Sequence, residues 1–464
     1  MPDTDHPHYW KSLSAVRGSS SRSLNETQFG TRPEPLSGMN RRRFLELAGF
    51  SVSLTALSGC TRTPVEISLP LVEQPESAIP GRALHYATTC GGCSAGCGIL
   101  ATVRDGRPLK MEGLTEHPGS RGGLCAVGQA LPMGLYDSQR LQRPLADQQT
   151  SDWKTVDQKI TATLERLRTD GGAVRLVTGT VISPTLQATI DSFLKSFQDA
   201  RHVVWDAVSS SAILDAHAKT HGARVLPYYR FDQALVIVSL GADFLGTWIS
   251  PVEYTAGWRT RRTPTSEHPE MSWHAQLEGC MSLSGAKADR RIRVAPGDYG
   301  AVLSRLYVDL AKRAGSPVQE TAAIGNVLTD EVHQELLERL WGARGHVLVV
   351  SESHDVRVQV LVNSINHLLQ AYGSTLDVER PSFQKQGNDG DLRQLVDELR
   401  AGKVQALIVC GMDLIHSLPN SDELIEAVKK VPLVVSTADR EDDFSVLAHF
   451  VCPDHHVLES WLDA

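Results

Sequence analysis

The sequence predicts an α/β protein in which a small cysteine-bearing β-hairpin domain precedes doubly wound parallel-sheet lobes. Three observations carry that expectation. Four of the eight cysteines fall between positions 90 and 125. The segment between the third and fourth of these reads as two short strands around Asp105-Gly106. From about residue 150 onward, short apolar runs alternate with segments of helical periodicity.

Composition sets the frame. With 464 residues, 41% of them hydrophobic and 22% charged, the chain is long enough for two or more domains with a sizeable core. A net charge of −8 leaves no basic excess to displace counterions from a phosphate backbone, so nucleic acid is not an expected partner.

Residues 1–39 read as a polar, disordered leader rich in Ser, Pro and Arg, with "HYWKSL" at His8 to Leu13 as a short docking segment. Residues 40–60, "NRRRFLELAGFSVSLTALSGC", join an arginine run to about fourteen mostly apolar residues, the shape of an export signal. That run is shorter than the roughly 20 residues needed to span a bilayer. Arg41 and Arg42 resemble the pair of a twin-arginine signal, although Asn40 and Glu46 replace the commoner Ser/Thr and Lys. Leu57-Ser58-Gly59-Cys60 resembles a lipobox, which makes Cys60 the lipidation candidate. An amphipathic internal helix is the alternative reading. Twin-arginine export carries folded proteins, which suits a cofactor inserted before export, and the expected location is the periplasmic face of the cytoplasmic membrane. Residues 61–82 read as a linker.

Residues 83–145 hold the cysteine cluster. Cys90-x2-Cys93-x3-Cys97 is followed by 27 residues and then Cys125 in "GGLCAVG". Four thiolates match one cubane [4Fe–4S] cluster, with three sulfurs wrapping one side and a distant fourth closing the cage. Gly91, Gly92, Gly96 and Gly98 give the loop its backbone freedom. A structural zinc site also uses four cysteines, though usually as two C-x2-4-C knuckles. Cys90 and Cys93 could instead pair as a redox disulfide. Cys280, Cys410 and Cys452 stand singly and are expected to be inert buried thiols.

In order, C-x2-C-x3-C, the hairpin ending in "KMEG", "EHPGSRGGLC" and "LYDSQRLQRPL" resemble the start of molybdopterin oxidoreductases, which carry a [4Fe–4S] cluster in this first domain. "VSLGADFLGTWISPVEY" at Val238 and "MSLSGAKADRRIRV" at Met281, with "YWKSL" and "SGCTR", are most similar to the molybdopterin-like iron–sulfur subunit of alternative complex III, a quinol-oxidising membrane complex. The resemblance implies ferredoxin-like iron–sulfur, haem and integral membrane quinol-binding subunits as partners. It also implies a site for molybdenum bis-pterin guanine dinucleotide, from which this sequence departs. Val127 stands where relatives commonly place a lysine or arginine between cluster and pterin, and no cysteine lies between 126 and 279 to ligate a metal. Asp206 or Ser209 would be the substitutes. The sequence ends at "CPDHHVLESWLDA", where the pattern continues into a final β-barrel domain, and His455 with His456 reads as a surface pair.

Residues 146–464 read as the α/β lobes. "VRLVTG" at 174, "ALVIVSLGAD" at 234, "HVLVVSES" at 346, "VQALIVCGMD" at 404 and "VPLVVST" at 431 are continuous apolar runs, as in strands covered on both faces. "PTLQATIDSFLKSF" at 184 and "DVRVQVLVNSINHLLQAY" at 355 have helical periodicity. Open α/β sheets bind ligands at their carboxyl edges, and the resemblance implies that these edges hold two pterin nucleotides, so Gly179, Ser239, Gly241, Asp243, Ser351 and Asp413 are the candidate cofactor-binding positions; the alternative is that they merely end strands. Residues 246–280 read as a long exposed insertion.

The expected function is an exported iron–sulfur subunit of a quinol-linked respiratory complex, transferring single electrons rather than transforming a substrate. Two alternatives stand beside it. One is a molybdenum or tungsten bis-pterin oxidoreductase subunit acting on a small oxo-compound. The other is a metal-free structural subunit with a vestigial cysteine set.

Overall fold

The computed structural model describes residues 79–464 apart from 267–268, 318–324, 420 and 461. The leader, the signal with Arg41 and Arg42, Cys60 and most of the linker lie outside the described residues.

β1 (Leu84–Thr89), β2 (Gly98–Arg104) and β3 (Arg107–Gly113) form an antiparallel sheet. Asp105 and Gly106, at φ 51° and 77°, make the two-residue turn whose backbone twist matches that of the flanking strands. The expected hairpin is therefore present, and β1 adds a third strand to it.

Strands β4 (Leu145–Ala146), β5 (Gln149–Thr150), β6 (Ala173–Thr178), β7 (Asp199–Val204), β8 (Leu226–Tyr229), β9 (Val236–Leu240), β10 (Trp273–Glu278), β11 (Arg290–Arg293), β12 (Val347–Ser351), β13 (Leu376–Ser382), β14 (Ala406–Cys410), β15 (Leu433–Ser436) and β16 (Phe450–Val451) follow along the chain. β11-β10-β9-β12 form one parallel sheet. A second sheet has the order β5-β4-β16-β15-β14-β6-β7, parallel from β16 to β7, with the β4–β5 hairpin at its edge. β8 and β13 pair antiparallel as a separate ribbon.

The lobes are doubly wound and also interleaved. The four-stranded lobe is inserted between β7 and β14 of the larger one, so the larger sheet is assembled from two distant parts of the chain. Strand order reverses between β9 and β12 in one sheet and between β6 and β14 in the other, which opens a crevice at the carboxyl edge of each. β6, β9 and β12 are buried along their whole length, as their largely apolar runs require, with the buried Arg175 of β6 paired to Asp199 and Glu398. Local chemistry sets the helix ends: Asp152 accepts a bond from Thr155 N at 2.9 Å ahead of the helix Trp153–Asp170, and Gly171 at φ 72° closes it.

The expectation of an exposed insertion over 246–280 is overturned. This span forms the helix Pro251–Arg262 and then β10, an interior strand buried from His274 to Glu278. Its polar residues concealed it, because they find partners inside: His274 Nε2 meets Gln276 Oε1 at 3.1 Å, and Gln276 Nε2 donates to Ala242 O. Arg262 ties the end of the helix to Asp289 at 2.6 Å, just before β11. Cys280 is likewise exposed, against the expectation of a buried thiol. Cys410 and Cys452 are half-buried, and burial pushes both thiols up to about 11.

Two outcomes check this core. Leu277→Ala in β10, fully buried in the wild type, is expected to cost about 2–5 kcal/mol in denaturant unfolding, whereas an exposed insertion would give less than about 0.5 kcal/mol. Burial also lowers His274 to about 4. The unfolded chain, near pH 6.5 for this group, then takes up the proton first, so stability is fully present above about 6.5 and falls as the pH drops towards 4. Unfolding midpoints measured from pH 7 to 5 should decline accordingly.

Candidate iron–sulfur site and adjoining cavity

The cysteine loop is built by β1 and β2. Cys90 N donates to Cys97 O at 2.7 Å where the two strands begin to separate, so residues 91–96 must bulge outward as a tight loop. Gly96 makes that turn at φ 58°. Beyond β3 the chain folds back on itself: Leu114 N donates to Gly98 O and Gly122 N to Leu114 O, both at 3.0 Å. Gly113 permits the crossing, since a Cβ there would stand 2.2 Å from Gly122 O. This return delivers Cys125 to the N-terminus of the helix Ala126–Leu135.

All four cysteines line one cavity of about 1060 Å³. Cys90 and Cys97 are buried, Cys125 is half-buried and Cys93 is exposed, and none is in a disulfide. Burial raises the Cys90 thiol, opposed by a bond from the Gly92 backbone and reinforced by Cys93 and Cys125. Cys97 is pushed up to about 12 by burial, then by Cys90, Cys93, Cys125 and Glu253. Burial and the neighbouring thiols hold Cys90 and Cys97 protonated unless a cationic group sits among the sulfurs.

Their spacing bears on which group fits. Among the described residues, the only set of three or more His, Cys, Asp or Glu ligand atoms lying within 4.8 Å of one another is Asp413, His416 and Asp443. The sulfurs are thus spread wider than the roughly 3.8 Å implied by tetrahedral zinc with Zn–S bonds near 2.3 Å. A cube with one iron beneath each sulfur suits the wider set. Of the three expectations for these cysteines, zinc and a disulfide fit this geometry poorly.

Leu245, Trp248, Ile249 and Val252 supply apolar wall, and Arg121, Arg259 and Lys385 supply positive charge. Val127 faces the same cavity, 61% exposed, at the position where the resemblance implies a cation. Lys385 comes from a distant segment that sequence reasoning missed. Its neighbour Gln384 donates to Ala95 O, inside the cysteine loop, at 3.4 Å. Its own φ of 53° is a left-handed conformation costing about 1–3 kcal/mol in a residue with a side chain. Only the β-strand pairing and this long-range contact reveal it.

The six edge positions fall into two groups, and none lines the cavity. Ser239, Gly241, Asp243 and Ser351 gather at the β9/β12 edge, while Gly179 and Asp413 stand at the β6/β14 edge. Several are engaged locally: Ser239 Oγ donates to Ala242 O at 2.9 Å, and Asp243 Oδ1 accepts from Ser284 N and Oγ at 2.9 and 2.8 Å. Asp413 caps its own loop through Ile415 N and His416 N. Asp206 is committed too, accepting from Thr180 N, Thr180 Oγ1 and Gly387 N. Ser209 lines the cavity, but its hydroxyl donates to Asp389 at 2.8 Å. His455 is exposed and His456 half-buried, and neither belongs to a ligand cluster among the described residues.

Comparison with known proteins agrees with this architecture. Residues 85–137 match the molybdopterin oxidoreductase Fe4S4 domain. The chain is 25% identical over 233 residues to a nitrate reductase of Klebsiella oxytoca, covering 48% of this chain and 26% of that one. It is 32% identical over 115 residues to the menaquinone reductase, molybdopterin-binding-like subunit of Nitratidesulfovibrio vulgaris, covering 23% and 16%. The matched stretches thus span about a quarter or less of these relatives' lengths. Acetylene hydratase from Pelobacter acetylenicus shares the fold, with a TM-score of 0.58 at 12% identity over 79% of this chain and 62% of that one. Residues 85–137 are thus a molybdopterin oxidoreductase Fe4S4 domain, and the chain as a whole shares its fold with a solved structure.

Proposed function

We propose that this chain is the iron–sulfur subunit of an exported, membrane-bound, quinol-linked respiratory complex of the alternative complex III kind, and that it relays single electrons. The observation that carries the reading is the set of four unbonded sulfurs around one cavity, too dispersed for zinc. Cys90, Cys93, Cys97 and Cys125 would hold a [4Fe–4S] cluster. That group supplies a reversible one-electron couple when bound.

The chain's own residues set the conditions. Burial of Cys90 and Cys97 excludes water from two sulfurs. The Gly92 backbone bond to Cys90 and the helix N-terminus at Cys125 disperse negative charge. Arg121, Arg259 and Lys385 face the same space and favour the more negative, reduced state. Export through the Arg41-Arg42 signal, anchoring at Cys60 and assembly with ferredoxin-like, haem and integral membrane subunits complete the proposal. Within the described residues, no helix is long and apolar enough to cross a membrane, so contact with quinol would fall to partners.

A molybdenum or tungsten bis-pterin enzyme is the second reading, favoured by the relatives named nitrate reductase. Against it, Asp206 and Ser209, the two substitutes for a cysteine ligand, are already engaged. Anaerobic purification with iron, sulfide and molybdenum quantified on one sample tests both readings. About four irons and four sulfides per chain without molybdenum are expected; stoichiometric molybdenum would establish the enzyme, and absence of iron the structural subunit. Cys97→Ser should lose most of the bound iron and the broad absorbance near about 400 nm that such clusters give. Cys410→Ser should keep both.

A further inference from the structure

We propose that Lys385 is the charge that sets the reduction potential at the four cysteines, and that Thr180, Asp206 and Gly387 form a clasp that holds it there. This rests on the cluster reading above and assigns the tuning of that site to one residue and its supports.

The backbone points to Lys385 first. Its φ of 53° is a left-handed conformation that residues with a side chain rarely adopt, and such outliers persist where the surroundings over-determine them. Here the chain is pinned on both sides. Before Lys385, Gln384 Nε2 donates to Ala95 O and to Glu253 Oε2, both at 3.4 Å, so that its amide bridges the cysteine loop and the helix Pro251–Arg262. After it, Gln386 N donates to Thr180 Oγ1 at 2.6 Å and Gly387 N to Asp206 Oδ2 at 3.1 Å. Thr180 Oγ1 in turn donates to Asp206 Oδ2 at 2.6 Å, and Arg224 Nη2 donates to Gly387 O at 2.9 Å. A Cβ at Gly387 would stand 2.7 Å from Asp206 N, so glycine is what lets this segment close on the edge of the larger sheet.

The side chain is the second pointer. Lys385 is half-buried and lines the cavity shared by all four cysteines, and its ammonium has no hydrogen bond or ion pair among the described residues. The other two cations on that wall, Arg121 and Arg259, are exposed, and Arg121 Nε is bonded to Pro118 O at 3.2 Å. Water screens an exposed charge more than a half-buried one, so the field of Lys385 in the cavity is the least attenuated of the three. An ammonium that is unpartnered and carried on a strained backbone contributes little to the fold. It is suited to oppose the negative charge that one electron adds to a group held by the sulfurs. Asp206, buried just past β7, is then a positioning residue that acts through Lys385.

Redox titration of the iron-loaded full chain at fixed pH, followed by electron paramagnetic resonance, tests this. Lys385→Met removes the charge while leaving the same left-handed backbone cost, and is expected to lower the midpoint by at least about 59 mV, a tenfold change in the one-electron equilibrium. Lys385→Glu should lower it about twice as far, and Arg259→Met less than about half as far. Thr180→Val should also lower it, yet add nothing in the Lys385→Met background. Iron content should match the wild type throughout. A midpoint indifferent to Lys385→Met at full iron loading, or moved as far by Arg259→Met, overturns this proposal alone. An equal effect of Thr180→Val with and without Lys385 overturns the clasp. A chain that binds no iron overturns the cluster reading and this proposal with it.

Discussion

Sulfur crowding is the constraint on which the rest of this structure depends. Bringing Cys90, Cys93, Cys97 and Cys125 to one cavity sets four potential negative charges against one another, two of them out of water. The rise of the metal-free Cys97 thiol to about 12 comes first from its burial and then from the neighbouring thiols. Iron would supply the missing positive charge, and metal binding and local folding would then be one process. The local architecture follows from this need. A β1–β2 pair pinches the loop at Cys90 and Cys97, Gly96 turns it, and a chain crossing at Gly113 brings Cys125 in on a helix N-terminus.

The interleaved lobes provide the other side of the cavity. Because the four-stranded lobe is inserted within the larger one, segments far apart in sequence meet the cysteine loop, among them the helix Pro251–Arg262, the residues after β12 and the Gln384-Lys385 segment. The charge around the cavity is divided. Cations stand on its walls, where a negatively charged iron–sulfur group would be steadied, while Glu352 makes the β9/β12 edge acidic.

Much of this was legible in the sequence where local chemistry decides structure. Asp105-Gly106 announces its turn because few residue pairs accept two left-handed conformations in succession. β6, β9, β12, β14 and β15 are apolar runs because both of their faces are covered. β10 escaped notice because His274 and Gln276 satisfy each other inside the core and so mimic a surface strand. The edge residues Ser239, Gly241 and Asp243 do stand at the end of β9, yet the residue that reaches the cavity is Glu352, just past β12. Lys385 carries no local signal either. Its surroundings arise only when non-adjacent strands pair.

The most direct measurement of the central claim is iron X-ray absorption on anaerobically purified protein. The account predicts iron atoms each surrounded by sulfur alone, with other irons as the next neighbours, and loss of that pattern when Cys97 is replaced by serine. Iron bound singly through oxygen or nitrogen, or the same cysteines found ligating a lone zinc or paired as disulfides, would contradict it.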